Sequence, residues 1–297
     1  MKNTATLYVL IAGILWGTMG VFSTYLNSLG MGSFEVAQVR ITLGFVLVAL
    51  YLAIFDRKMF KVKIKDLWCF VGTGIVSLLF FSCCYFSAIK ITGLSVAAVL
   101  LYTAPTFVML MSLFLFKEKL TANKVAALIT ALFGCILVSG VLSGGSVNFV
   151  GILFGLGSGF FYAMYSIFGR FAINRGYESW TIVLYTFLFC SVGCAFFTDW
   201  KVVYNVAVSA PSIWLVFAGL ALVTAFLPYV FYSKGLEGLE SSKASIIASI
   251  EPVVGTVMGM IFFGQFPDVW GYIGIVLVLG AIVMLNVKFV ARKKEKS

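Results

Sequence analysis

The chain has 297 residues, 62% of them hydrophobic and only 11% charged, with a formal net charge of +10 and no histidine. A soluble domain carries about 25% charged residues, so the composition excludes a soluble fold. The six cysteines (69, 83, 84, 135, 190 and 194) form no CxxC pair and have no histidine to complete a metal set, so they read as small apolar packers.

Crossing a bilayer as a helix takes ~20 largely apolar residues. Ten blocks of that kind are expected, at about 7–26, 34–55, 67–89, 94–116, 122–142, 149–173, 180–199, 212–235, 242–263 and 268–290. Residues 7–26 show no small-x-small cleavage site followed by a soluble domain, so they are expected to stay as a span. Most joins are short, which makes neighbouring helices antiparallel. The fold class expected is an all-α integral membrane protein. The lipid bilayer is its first partner.

Lys and Arg concentrate in cytoplasmic loops. With the N-terminus inside, the cytoplasmic segments hold Lys2, the group from Arg57 to Lys65, Lys117, Lys119, Lys124, Arg170, Arg175, Lys234, Lys243 and the tail from Lys288 to Lys296. Only Lys90 and Lys201 fall outside, and Arg40 lies within a span. Both termini are therefore expected in the cytoplasm. The basic balance is a topology signal and does not call for nucleic acid.

The chain also repeats itself. Laying 85–105 on 232–252 pairs Tyr85 with Tyr232, Ser95 with Ser242, Ala97 with Ala244 and Pro105 with Pro252. Each proline falls near the middle of the fourth span of a five-span set. Five is odd, so two such sets, 1–143 and 144–297, would be inverted relative to each other. Many secondary transporters are built in this way, with the solute near the midplane between halves.

The stretches "FEVAQVRITLGFVLVALYL" (34–52), "SVAAVLLYTAPTFVMLMSLFLFKEKLTANKVAALITALFGCILV" (95–138) and "SIEPVVGTVMGMIFFGQFPDVWGYIGIVLVLGAIVML" (249–285) resemble the EamA family of the drug/metabolite transporter superfamily. The resemblance covers nearly the whole chain. It implies a ten-helix bundle that carries small organic solutes, often outward, through a central cavity. Glu118 stands where the family's short loop glutamate is usual, whereas Gln265 replaces it in the second half. The first span carries no acidic residue, unlike the four-helix relatives that exchange protons for cationic drugs.

Charges at bilayer depth cost several kcal/mol unless paired or hydrated, so Glu251 and Arg40 are the leading candidate solute ligands. Glu251 lies ~12 Å into its span and Arg40 ~9 Å into its own, at 1.5 Å per residue. Arg40 either faces the cavity or snorkels to the interface. Glu251 is either a ligand or a structural carboxylate, and the two residues could simply pair with each other. Trp16 in "ILWGTMG" and Tyr162 in "FFYAMY" occupy comparable points in the first span of each half, where the resemblance implies cavity-lining aromatics; such rings suit a cationic or aromatic solute. Tyr102 completes the set of expected substrate contacts. Pro105 and Pro252 each remove one helix hydrogen bond and are the expected hinges.

The reading is a transporter of amino acids or related metabolites, working outward by alternating access. A transporter of organic or quaternary ammonium cations is the alternative. A zwitterion needs both Arg40 and Glu251, whereas a cation needs only Glu251. No metal cluster or nucleophile–base pair points to an enzyme, and no cofactor is expected.

Overall fold

The computed structural model describes residues 2–141 and 148–286, and every regular element among them is helical. The expected boundary between halves at 143/144 and the basic tail from Lys288 to Lys296 lie outside the described residues.

Seven helices are long and apolar enough to cross a membrane: Asn3–Ser28, Ser33–Phe55, Ile64–Thr92, Leu94–Phe116, Phe149–Asn174, Ile213–Gly238 and Ser241–Phe263. Three shorter apolar helices, Ala122–Val138, Ser179–Cys194 and Val269–Leu285, lie where the remaining apolar blocks were expected.

Locally the first stretch divides into α1 (Lys2–Gly17) and α2 (Met19–Ser28), followed by α3 (Ser33–Phe55). The third stretch comprises α4 (Leu67–Val71), a wide π-type winding over Gly72–Leu79, and α5 (Phe80–Thr92). Next come α6 (Leu94–Leu101), α7 (Ala104–Phe116) and α8 (Ala122–Val138). The second part holds α9 (Phe149–Asn174), α10 (Ser179–Cys194), α11 (Trp200–Ser209) and α12 (Ile213–Ala221). A second π-type winding at Leu222–Phe226 leads into α13 (Leu227–Gly238). The chain then forms α14 (Ser241–Ala248), α15 (Glu251–Phe263) and α16 (Val269–Asn286).

The fourth and ninth apolar blocks break in the same way. Tyr102 and Thr103 separate α6 from α7, and Ser249 and Ile250 separate α14 from α15. The expectation of prolines kinking a helix midway needs correcting, because each proline opens a new helix. Pro105 and Pro252 sit in the first turn of α7 and α15, where a missing N–H costs nothing because the first turn leaves its donors unpaired anyway. The carbonyls at the end of each preceding half-helix are met by a glycine from elsewhere in the chain. A Cβ on Gly13 of α1 would lie 3.2 Å from Ala248 O, and one on Gly159 of α9 would lie 3.2 Å from Leu101 O. The interiors of α1 and α9 are thus brought to within backbone contact of the breaks.

Two features departed from expectation. The first apolar block is interrupted at Thr18, whose Oγ1 donates to Leu15 O at 2.7 Å. The join after α10 carries the extra helix α11, which begins where Asp199 Oδ1 accepts from the Lys201 and Val202 amides. Val206 of α11 is buried with Leu26, Met31, Val36 and Ile213, so an amphipathic face explains its docking.

Helix pairs come closest at small residues, as expected where no hydrophobic effect drives association. At the α8–α16 contact a Cβ on Gly274 would lie 2.6 Å from Gly134 O and 2.8 Å from Val138 N. Both obstacles are backbone atoms, so relief requires the helices to separate. Gly274→Val is therefore expected to cost about 1–3 kcal/mol by overpacking. A thermal unfolding midpoint equal to the wild type in the same detergent would refute this contact.

Candidate functional site

Four elements converge on one cavity. Trp16 comes from α1, Tyr162, Tyr165 and Ser166 from α9, Tyr229 and Tyr232 from α13, and Ser77, Leu78 and Phe81 from the third block. Trp16 has its ring 5.1 Å from Tyr229, 5.3 Å from Tyr232 and 6.5 Å from Tyr162. Phe81 meets Tyr162 edge-on at 5.3 Å. Such edge contacts are favourable beyond the apolar area they bury.

Three of the four phenol groups make side-chain hydrogen bonds. Tyr165 Oη and Ser233 Oγ are 2.7 Å apart, and Tyr232 Oη and Ser166 Oγ are 2.8 Å apart. Tyr162 Oη donates to Glu251 Oε2 at 3.3 Å. The α9–α13 seam is thereby fixed by two Tyr–Ser pairs, while Tyr162 couples the cavity to the carboxylate behind it. In this state the cavity offers only about 20 Å³ to the centre of a water-sized sphere. That is room for a water or two, since one needs roughly 10–15 Å³ on this measure. The rings must part before an organic solute can enter.

Glu251 is the first residue of α15. A carboxylate suits a helix start, where backbone N–H groups leave a partial positive charge. A Cβ on Gly17 would lie 2.8 Å from Glu251 O, so the end of α1 is pressed against this start. Two residues on, Met19 Sδ accepts from Arg40 Nη1 at 2.7 Å. Arg40 therefore reaches the break between α1 and α2, which in turn borders the break before α15.

The two charges do not pair. No carboxylate lies within ion-pair distance of Arg40 among the described residues. Arg40 is 7% exposed, and its Nε is buried without a hydrogen-bond partner. The snorkelling alternative does not describe so buried a side chain.

The structure brings Trp16, Tyr162 and Glu251 together, with Arg40 beside Tyr229 of the lining. Tyr102 does not line the cavity itself but sits near Glu251. It packs at the α6–α7 break with Cys135, Ile250, Val253 and Val278. Tyr165, Tyr229, Tyr232 and Phe81 are cavity residues the sequence reading did not single out. The run "LPYVFYSK" (227–234) holds one available signal, two tyrosines three residues apart and hence on one helix face.

The description "EamA-like transporter family" matches residues 3–140 and again residues 149–287. The chain belongs to the EamA-like transporter family. Similar proteins align along most of their length. An uncharacterised transporter of Bacillus subtilis (strain 168), YxxF, is 25% identical over 97% of this chain and 91% of its own. An uncharacterised transporter of Archaeoglobus fulgidus is 26% identical over 93% of this chain and 94% of its own. A crystal structure superposes over 100% of both chains with a TM-score of 0.78 at 19% identity, a likeness that shows the fold alone. This EamA-family chain is thus a multi-pass membrane protein of a transporter family, and its cavity is the place to look for a solute.

Proposed function

We propose that the protein is a secondary transporter that moves amino acids or related metabolites bearing an ammonium group outward across the cell membrane. Ten spans in two inverted five-helix halves, with both termini in the cytoplasm, would supply alternating access. The boundaries of α6, α7, α14 and α15 support the halves, because the same break recurs before a proline in each.

The observation that carries the reading is the hydrogen bond from Tyr162 to Glu251 at the edge of a ring-lined cavity, with an unpaired Arg40 nearby. An ammonium group finds a carboxylate and aromatic faces there. A carboxylate on the same solute would find the guanidinium whose Nε lacks a partner. A second reading, transport of an organic or quaternary ammonium cation, is favoured by the cavity lining itself, which includes six aromatic side chains and does not include Arg40.

Thermal stabilisation of the purified protein, screened against amino acids, amines and nucleosides, tests both. Amino acids should raise the unfolding midpoint. Stabilisation by amines alone selects the second reading, and stabilisation by nucleosides alone rejects both.

Alternating access also gives the breaks a task. Pro105→Ala and Pro252→Ala restore a backbone N–H and favour an unbroken helix. Each is expected to slow counterflow in proteoliposomes while expression and folding stay near wild type. Wild-type rates in both variants would leave the prolines as shape alone.

A further inference from the structure

Away from the central cavity, the loop after α3 borders a second one, open to the outside, of about 430 Å³. Its lining includes Lys58, Lys61, Lys63 and Arg175, with Glu178 as its one acid. Asp66 is already engaged, with Oδ1 3.2 Å from Arg175 Nε and Oδ2 accepting from Tyr177 Oη at 2.8 Å. The three lysines have no carboxylate within ion-pair distance among the described residues.

The cavity is built, not incidental to a loose loop. Tyr185 Oη donates to Phe60 O at 2.7 Å, and Thr181 Oγ1 donates to Met59 O at 2.9 Å. The Lys63 amide donates to Tyr177 Oη at 3.1 Å. Desolvation by burial raises the Tyr177 phenol above its usual range, and its bond to Asp66 acts in the same sense, so it stays a donor. Three side chains of the α9–α10 region thus hold the loop's backbone in place, and its ordering entropy is already spent.

Beside the cations the surface turns apolar. Ile54, Phe55 and Ile64 are 73%, 70% and 86% exposed, and Trp68 is 41% exposed. An anion bound here therefore sits next to side chains suited to acyl chains, with Trp68 placed as an interfacial anchor.

We infer that this cavity binds the phosphodiester headgroup of an anionic phospholipid, held by Lys58, Lys61 and Lys63. Basic pockets between spanning helices recognise such headgroups. The loop follows α3 while its anchors lie on α10 and the turn before it, so the lipid fastens two parts of the chain that are distant in sequence. The inference does not depend on which solute the central cavity takes.

The full-length protein in neutral detergent is titrated with short-chain phosphatidylglycerol, phosphatidylcholine of the same chain length, and inorganic phosphate, following the unfolding midpoint. Phosphatidylglycerol should stabilise it at concentrations where the other two do not. The combined variant Lys58→Gln, Lys61→Gln and Lys63→Gln should weaken that effect about 100-fold, at roughly five-fold for each basic residue near an anionic surface. These side chains are exposed, so the variant should fold. A control with Arg57→Gln, Lys65→Gln and Lys119→Gln removes equal charge outside the cavity lining and should bind as wild type. Equal weakening in the control would reduce the effect to general surface charge and overturn the site. Inorganic phosphate binding as tightly as phosphatidylglycerol would overturn the lipid assignment.

Discussion

Glu251→Gln is expected to lower substrate affinity about ten- to 150-fold while leaving folding nearly intact. The variant keeps the side-chain volume and an oxygen that can still accept from Tyr162, which is the one side-chain hydrogen bond Glu251 makes among the described residues. What it loses is the charge, and a hydrogen bond to a charged group is worth ~1.5–3 kcal/mol. Burying a neutral amide is cheaper than burying a carboxylate, although the helix start of α15 offsets part of that difference. A structural carboxylate would give the reverse pattern, with a lowered unfolding midpoint and normal binding by the folded fraction. Arg40→Gln in the same assay should weaken a zwitterion and spare a cation. It should not harm the fold, because Arg40 has no carboxylate partner among the described residues, rests on the weak acceptor Met19 Sδ and the neighbouring Tyr229 hydroxyl, and keeps Nε unpaired. A buried cation without a carboxylate is costly to retain, which is the physical reason to expect a solute anion there. Unchanged binding and stability in Glu251→Gln would leave this site without its central residue.

The apolar blocks were legible because a membrane imposes one simple pattern, long runs without charge. The breaks within them were only partly so. Pro105 and Pro252 marked two interruptions, since proline fits a helix start better than its interior. Thr18 gave no comparable signal, and the turn there depends on Gly17 packing against α15, a contact made by residues far apart in sequence. The same limit applies to the site. Glu251 and Arg40 stood out as charges at depth, but Tyr229 and Tyr232 are two of 13 tyrosines in an aromatic-rich chain. Only the packing of α13 against α1 and α9 distinguishes them from rings that face lipid.

The link at the far end of the bundle should carry the largest stability effect. Glu118 lies in the join between α7 and α8, and its Oε1 accepts from the Ser241 amide at 2.7 Å. Its Oε2 accepts from the Ser242 amide at 3.2 Å and also from Ser242 Oγ. It thereby satisfies two donors that the first turn of α14 leaves unpaired. Lys124, 2% exposed, closes the arrangement with Nζ 2.7 Å from Glu240 and 3.8 Å from Glu118. Glu118→Ala strands three donors at a site where Ser241 and Ser242 are at most 1% exposed. An unsatisfied buried donor costs roughly 1–3 kcal/mol, so the sum is at least about 3 kcal/mol. Gln265, the residue that takes the place of Glu118 in the repeat, is exposed, and among the described residues no bond joins it to the start of α6. Gln265→Ala should therefore stay within about 0.5 kcal/mol of the wild type, as exposed substitutions usually do. The contrast makes one end of the bundle fastened and the other free, so loosening Glu118 should also raise the reactivity of cysteines introduced at Ser241 or Ser242 toward a water-soluble maleimide. Equal unfolding midpoints for Glu118→Ala and Gln265→Ala would mean that the carboxylate fastens nothing.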